Sequence, residues 1–179
     1  SQLSASGMGL ADIVMAGLVS DDDVSAIAVS NSIYFPLFLF VLGLLNAITP
    51  TVSYLNGSNQ RHLIAHQVRQ GFWLVLTMSI PLILIFCNSH LILDYMHTPK
   101  SFSSKSQQYL MIMAIGIVPA LLAINLRCMN DGLSNPKPAM IITFFGLVLN
   151  IPLNYIFIYG KFGLPEMGSV GCGIATAIV

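Results

Sequence analysis

The sequence predicts an all-α membrane protein, a polytopic transmembrane bundle of about six helices. The chain of 179 residues is 55% hydrophobic and only 8% charged, with a mean hydropathy of +0.80. Soluble domains carry about 25% charged residues because their surfaces face water. The charges also cluster in short patches, separated by uncharged stretches at residues 24–60, 70–93, 106–126 and 138–160. Each stretch reaches the roughly 20 apolar residues that a helix needs to cross a bilayer.

These stretches, with the apolar ends of the chain, predict helices at residues 1–19, 24–56, 71–93, 107–126, 139–159 and 168–179. The first and sixth are predicted to be truncated, because the chain opens within one apolar segment and stops within another. We therefore expect a fragment of a longer protein. Proline inside a helix removes a backbone donor and clashes with the preceding turn, so bends are expected at Pro36 and Pro81.

The loops between these helices predict an orientation. The acidic turn at 21–23 is expected to be a surface loop, because carboxylates are excluded from lipid, and residues 94–105 are expected to form a polar loop. With short connections, the loops at 57–70 and 127–138 lie on one side. They hold Arg61, Arg69, Arg127 and Lys137, against Lys100, Lys105 and Lys161 in the opposite loops. The positive-inside rule then places the 57–70 loop in the cytoplasm.

One acid, Asp12, lies inside an otherwise uncharged helix. Ala5, Gly9 and Ala16 share its face, and small residues let a neighbouring helix approach closely. A charge at the membrane centre costs about 2.5–3.5 kcal/mol on insertion scales, so Asp12 is expected to face the bundle interior. There it can exchange a proton, since desolvation favours the neutral acid, or stay ionised beside a bound cation. The alternative is a structural hydrogen bond near the helix end.

The fifth predicted helix carries two carboxamides, Asn150 and Asn154. They are four residues apart and share a face, while Pro152 leaves the carbonyl of Val148 without its usual partner. Polar groups in lipid need partners, so both side chains are expected to face the interior. They predict either the polar wall of a substrate or ion cavity, or interhelical hydrogen bonds worth about 1 kcal/mol each. The residues alone favour neither.

Other patterns indicate little chemistry. The three cysteines are far apart and lack the paired spacing of a metal or disulfide site. His62 and His66 have metal-ligand spacing, but Leu63 stands where a metalloprotease helix carries glutamate, so solvated histidines are expected. A net charge of zero gives no argument for a nucleic-acid partner. We therefore predict no enzyme, no metal site and no organic cofactor.

Several runs of sequence point to one family. They are residues 7–17 (GMGLADIVMAG), 149–155 (LNIPLNY) and 159–163 (YGKFG), with shorter matches at 55–57, 131–132, 137–140 and 171–173. In this order they resemble the multidrug and toxic compound extrusion (MATE) transporters, most closely the bacterial members. The resemblance extends over essentially the whole chain, and the runs at 149–155 and 159–163 are the specific ones.

The resemblance implies a twelve-helix antiporter of two six-helix lobes in the bacterial inner membrane. It would export cationic drugs in exchange for Na⁺ or H⁺, without a cofactor. This chain would be most of the first lobe, with membrane lipids and the missing C-terminal lobe of the same chain as its partners. In the family an acid of helix one couples cations, a role that falls on Asp12, and the cavity carboxamides of helix five fall on Asn150 and Asn154.

Two other functions fit the residues less well. A lipid-linked precursor flippase of the same wider superfamily would line its cavity with Arg or Lys for pyrophosphate, and the predicted helices carry none. An integral membrane enzyme would need an acid, base or metal cluster at one depth, and the chain offers the lone Asp12. The charge pattern therefore favours efflux, while the coupling ion and the substrates stay open.

Overall fold

The computed structural model describes residues 21–96, 98–160 and 167–179, so the first predicted helix, at residues 1–19, lies outside the described residues. The described chain forms α1 (Asp21–Asn46), α2 (Ile48–Gly57), α3 (Ile64–Cys87), α4 (Ser89–Tyr95), α5 (Lys100–Gly132), α6 (Lys137–Ile158) and α7 (Gly168–Ile178). A 3-10 turn at Arg61–Leu63 precedes α3. These ranges contain no strand, and the predicted all-α class is confirmed.

Four segments of the described chain are long and apolar enough to cross a membrane: Asp22–Gly57, Arg61–Cys87, Phe102–Gly132 and Lys137–Ile158. The last helix, α7, is apolar but has only 11 residues. The prediction of a polytopic transmembrane bundle is therefore confirmed. Charge-free stretches locate such segments because charge is what the hydrocarbon layer excludes.

The second predicted helix is divided into α1 and α2 at Ala47. The Ala47 N–H donates to the carbonyl of Leu44 at 3.3 Å, which is the tighter i,i+3 pattern. Pro50 lies in the first turn of α2, where a backbone N–H has no intrahelical acceptor to lose. Pro36 and Pro81 lie inside α1 and α3, which continue past them. The break thus falls where a new first turn accommodates a proline.

The fourth predicted helix is longer than its uncharged stretch. It corresponds to α5, which begins at Lys100, inside the predicted 94–105 loop, and ends at Gly132. Absence of charge locates only the lipid-embedded part of a helix, and the hydrogen-bonded backbone continues beyond it. Near its end, Arg127 and Asp131 form an i,i+4 ion pair with Nε and Oδ2 3.5 Å apart. Each charge of the pair neutralises the other, so α5 can continue as a helix beyond its uncharged stretch.

The central helix of the bundle is α5, which packs against α1, α2, α3 and α7. Its buried Leu110 and Leu121 form the main core with side chains of α1 to α3, including Leu45 and Phe86. A smaller core joins α1, α5, α6 and α7 through Ile27, Tyr109, Met113, Ile158 and Cys172. The position of every other membrane-length segment is therefore fixed directly or indirectly by α5.

The ends of α2 and α5 are joined by hydroxyls and a glycine. Ser53 Oγ donates to the Gly132 carbonyl at 3.1 Å, and Thr49 Oγ1 donates to the Cys128 carbonyl at 3.3 Å. A Cβ on Gly132 would lie 2.7 Å from the Cβ of Val52, so this approach requires glycine. Small residues permit such contacts in lipid. The turns that follow α2 and α5 therefore lie at the same end of the bundle.

Candidate functional site

The two carboxamides of α6 lie together on its buried face. Asn150 and Asn154 are both fully buried, and Asn154 Nδ2 donates to Asn150 Oδ1 at 3.0 Å. One helical turn separates them, which is why a direct side-chain bond is possible. Pro152 lies between them inside α6. The structure thus brings together two of the three site residues that the sequence predicts.

One hydrogen-bond donor of this pair has no acceptor in the described part of the chain. Asn150 Nδ2 is buried and has no acceptor among the residues that the structure describes. A buried polar group without a partner costs about 1–3 kcal/mol, so native structures seldom leave one without a reason. Because its Oδ1 already accepts from Asn154, the free capacity of Asn150 is an N–H group. Such a group suits an acceptor, for example a carboxylate or a carbonyl oxygen.

The packing around α6 changes at this pair. One turn beyond Asn154, Ile158 is fully buried in the smaller core with Cys172 of α7. Gly171 of α7 lies directly against the backbone carbonyl of Phe157, so the C-terminal half of α6 is held tightly. The N-terminal half instead exposes apolar side chains, among them Met140, Ile141, Ile142, Phe144 and Phe145. The carboxamides therefore lie where α6 passes from protein contact to an apolar exterior.

The third predicted site residue, Asp12, lies outside the described residues. A second acid that the sequence analysis assigned to a surface loop is buried instead. Asp23 is 2% exposed and lies in the first turn of α1, so the surface-loop prediction is wrong for this residue. Its Oδ1 is 3.0 Å from Lys105 Nζ on α5 and accepts the Ser169 N–H of α7 at 3.1 Å. We call Asp23, Lys105, Gly168 and Ser169 the acid junction.

The acid junction is built at the first turn of α7, where backbone N–H groups lack intrahelical acceptors and favour an anion. Gly168 begins this turn with φ +52°, and a Cβ there would lie 2.7 Å from Asp23 Oδ1. Only glycine meets both conditions without strain. The sequence signal was a glycine at the start of a predicted helix, but the pairing itself spans 146 residues. Nothing in the local pattern indicates such a contact.

His62 and His66, which were predicted to be solvated, are both exposed. His66 is exposed, and its ring nitrogens lie 3.2 Å from Arg69 Nη2 and 3.0 Å from Gln70 Nε2. His62 is exposed in the 3-10 turn. Across residues 21–96, 98–160 and 167–179, no group of three His, Cys, Asp or Glu side chains could hold a metal ion. The absence of a metal site in the whole chain stays a prediction.

Comparison with known proteins gives a consistent result. The family model described as MatE matches residues 1–156. Over the whole chain, 83% of residues are identical to the probable multidrug resistance protein NorM of Haemophilus ducreyi and 55% to that of Pasteurella multocida. The multidrug resistance protein MdtK of Yersinia pestis is 50% identical. In each case the chain spans 39% of the length of the relative.

Proposed function

We propose, because this chain belongs to the MatE family, that it forms the first lobe of a multidrug efflux antiporter in the bacterial inner membrane. The complete protein would export organic cations and drugs in exchange for Na⁺ or H⁺. The relatives are named for multidrug resistance, which supports transport and not catalysis. The second lobe would correspond to the part of the relatives' sequences that this chain does not span.

The observation that carries the proposal is the buried pair of Asn150 and Asn154, in which one N–H group of Asn150 has no acceptor within residues 21–96, 98–160 and 167–179. Most buried polar groups complete their hydrogen bonds within the protein. A cavity wall instead keeps a group for a ligand or for a residue that changes its partner. The carboxamides do not ionise, so they offer the same donors and acceptors at every pH.

The proposed mechanism assigns the change of charge to Asp12. Ionised, its carboxylate attracts a cationic drug, and the free N–H of Asn150 is suited to stabilise such an anion. When a proton or Na⁺ binds Asp12, the attraction for the drug is lost and the helix that carries the acid can repack against the α6 face. The drug then leaves on the outer side. Two cations competing for one carboxylate is the physical basis of exchange.

The proposal is tested by Asp12→Asn in the full-length protein. We expect dye efflux from energised membrane vesicles to fall to the background of transporter-free vesicles, while the amount of protein in the membrane is unchanged. Asp22→Asn is the matched control, because Asp22 is an exposed acid at the start of α1. Efflux by the Asp12→Asn protein at the rate of the unmodified protein would exclude the proposal.

The coupling ion is determined by imposing one gradient at a time. Proteoliposomes with only a Na⁺ gradient and proteoliposomes with only a pH gradient are compared for dye efflux. Efflux that follows neither gradient would contradict antiport and would favour a flippase or another activity. If one gradient drives efflux and Asp12→Asn abolishes that efflux, the ion of that gradient is the one coupled through Asp12.

A further inference from the structure

A second feature of interest lies at the end of the bundle that carries the basic turns. An apolar cleft of about 510 Å³ separates α3 from α5, and we call it the Arg69 cleft. Its lining consists of Ala65, Val68, Arg69 and Phe72 on α3 and Leu122, Asn125 and Leu126 on α5. Apart from Arg69 and Asn125, every lining side chain is apolar. The cleft thus has an apolar wall with a single cation.

The base of the cleft is fixed by a buried carboxamide. Asn125 is 2% exposed, and its Nδ2 donates to the carbonyl of Val68 at 3.1 Å. Gly71 packs directly against the Asn125 side chain, so α3 and α5 are in close contact below the opening. The hydrogen bond and the glycine contact together fix the distance between the two helices at this level.

Arg69 has no acid to neutralise it. In the described part of the chain, no carboxylate lies within ion-pair distance of its guanidinium, and its Nη2 contacts only the ring of His66. The adjoining clefts add further cations. One shares Ala65 and contains Arg61, and the other shares Leu126 and contains Arg127, which is paired with Asp131. The net potential around Arg69 is therefore positive.

The depth of Arg69 matches the lipid headgroups. Trp73 is one helical turn further into the membrane on the same face, and its indole is 62% exposed. Exposed tryptophans favour the boundary between headgroups and acyl chains. Arg69 then lies at the level of the phosphates, with Phe72 and Leu122 on the acyl-chain side. The basic turns at this end predict the cytoplasmic leaflet.

From these observations we infer that the Arg69 cleft binds one anionic phospholipid of the cytoplasmic leaflet. The phosphate lies on the Arg69 guanidinium, which can donate two parallel N–H bonds to it. One acyl chain lies along the apolar wall of α3 and α5. A headgroup with an additional anionic or hydroxyl group is favoured by the neighbouring Arg61. Basic pockets between membrane helices recognise anionic lipids in this way.

The test uses the full-length protein in nanodiscs that contain equal amounts of phosphatidylglycerol and phosphatidylethanolamine. After transfer to detergent, lipids that stay bound are counted by native mass spectrometry. We expect phosphatidylglycerol to be retained in preference to phosphatidylethanolamine. Arg69→Gln should weaken its retention about fivefold, the effect of one interfacial cation. Arg69→Lys, the matched control, keeps the charge and should retain most of the lipid.

A second variant tests the cleft itself. Ala65→Phe keeps all the cations but fills the opening, so it should also release phosphatidylglycerol. Ala65 and Arg69 are both exposed, and size-exclusion chromatography checks that each variant is folded. Equal retention of the two lipids by the unmodified protein, or undiminished phosphatidylglycerol on Arg69→Gln, would overturn the inference. Retention by Ala65→Phe equal to that of the unmodified protein would also overturn it, because the lipid would then lie elsewhere.

Discussion

Two of the places where the described chain buries polar groups are built in opposite ways. At the acid junction, the charged Asp23 is held by Lys105 and by the Ser169 N–H. At the α6 pair, two neutral carboxamides bond to each other and Asn150 keeps an unused N–H. A buried charge must be paired, since an uncompensated one costs several kcal/mol. A neutral group can remain incompletely bonded at lower cost. The first arrangement fastens helices, and the second fits the ligand-binding wall that we propose.

The largest expected effect is that of Asp23→Ala on stability. It removes the ion pair with Lys105 and the acceptor for Ser169, and it opens a small cavity. Because Lys105 is 41% exposed and can return to water, we expect a loss of about 2–4 kcal/mol, below the 3–5 kcal/mol of a fully buried pair. Denaturant unfolding of the full-length protein in detergent measures it. The control Asp22→Ala, at an exposed acid, should change little, and equal losses for the two would contradict the role of the junction.

Gly168→Ala tests the backbone side of the acid junction. The alanine must adopt φ +52° and place its Cβ against the Asp23 carboxylate. The left-handed conformation alone costs about 1–2 kcal/mol, so we expect at least that loss in the same unfolding measurement. Gly57→Ala is the control, because a Cβ there meets no atom within 4 Å. A Gly168→Ala protein as stable as the control would show that the junction tolerates displacement of α7.

Replacing Asn150 and Asn154 of α6 is expected to reduce transport much more than stability. Replacing both partners of a buried hydrogen bond by apolar groups of similar shape costs much less than leaving one partner unpaired, so Asn150→Leu/Asn154→Leu should change the unfolding free energy by less than Asp23→Ala does. Dye efflux by the same full-length variant should nevertheless fall at least about tenfold, equivalent to 1.4 kcal/mol. Normal efflux would make the pair a purely structural contact. A large loss of stability would contradict the contrast with the acid junction.

The smallest expected effect is that of Arg127→Gln. Its ion pair with Asp131 also joins a basic side chain to a carboxylate, but both of its side chains are more than one third exposed. Exposed i,i+4 pairs contribute about 0.3–0.5 kcal/mol, so the unfolding free energy should change by no more than that. High salt should remove the difference. A loss comparable to that of Asp23→Ala would mean that burial is not what distinguishes the two pairs.

Sequence reasoning succeeded where one property decides the outcome. Exclusion of charge from lipid located the membrane segments, and the spacing of Asn150 and Asn154 placed them on one face, which the structure buries. Their part in a substrate or ion cavity stays a prediction, as does the role of Asp12. Asp23 was misplaced because an acid in a turn is normally solvated, whereas here the distant Lys105 and Ser169 compensate for its burial. Contacts between residues so far apart leave no periodic signal.

The same separation gives the acid junction an order of assembly during synthesis. Asp23 is synthesised first, Lys105 follows, and Ser169 comes last, 146 residues after the acid. At about 5–20 residues per second, several seconds pass between the synthesis of Lys105 and that of Ser169. Until α7 is made, a nascent chain has the Lys105 contact of Asp23 but lacks the Ser169 contact. Insertion of α7 then completes the contact, so the junction joins the first and last described helices only once translation has passed both.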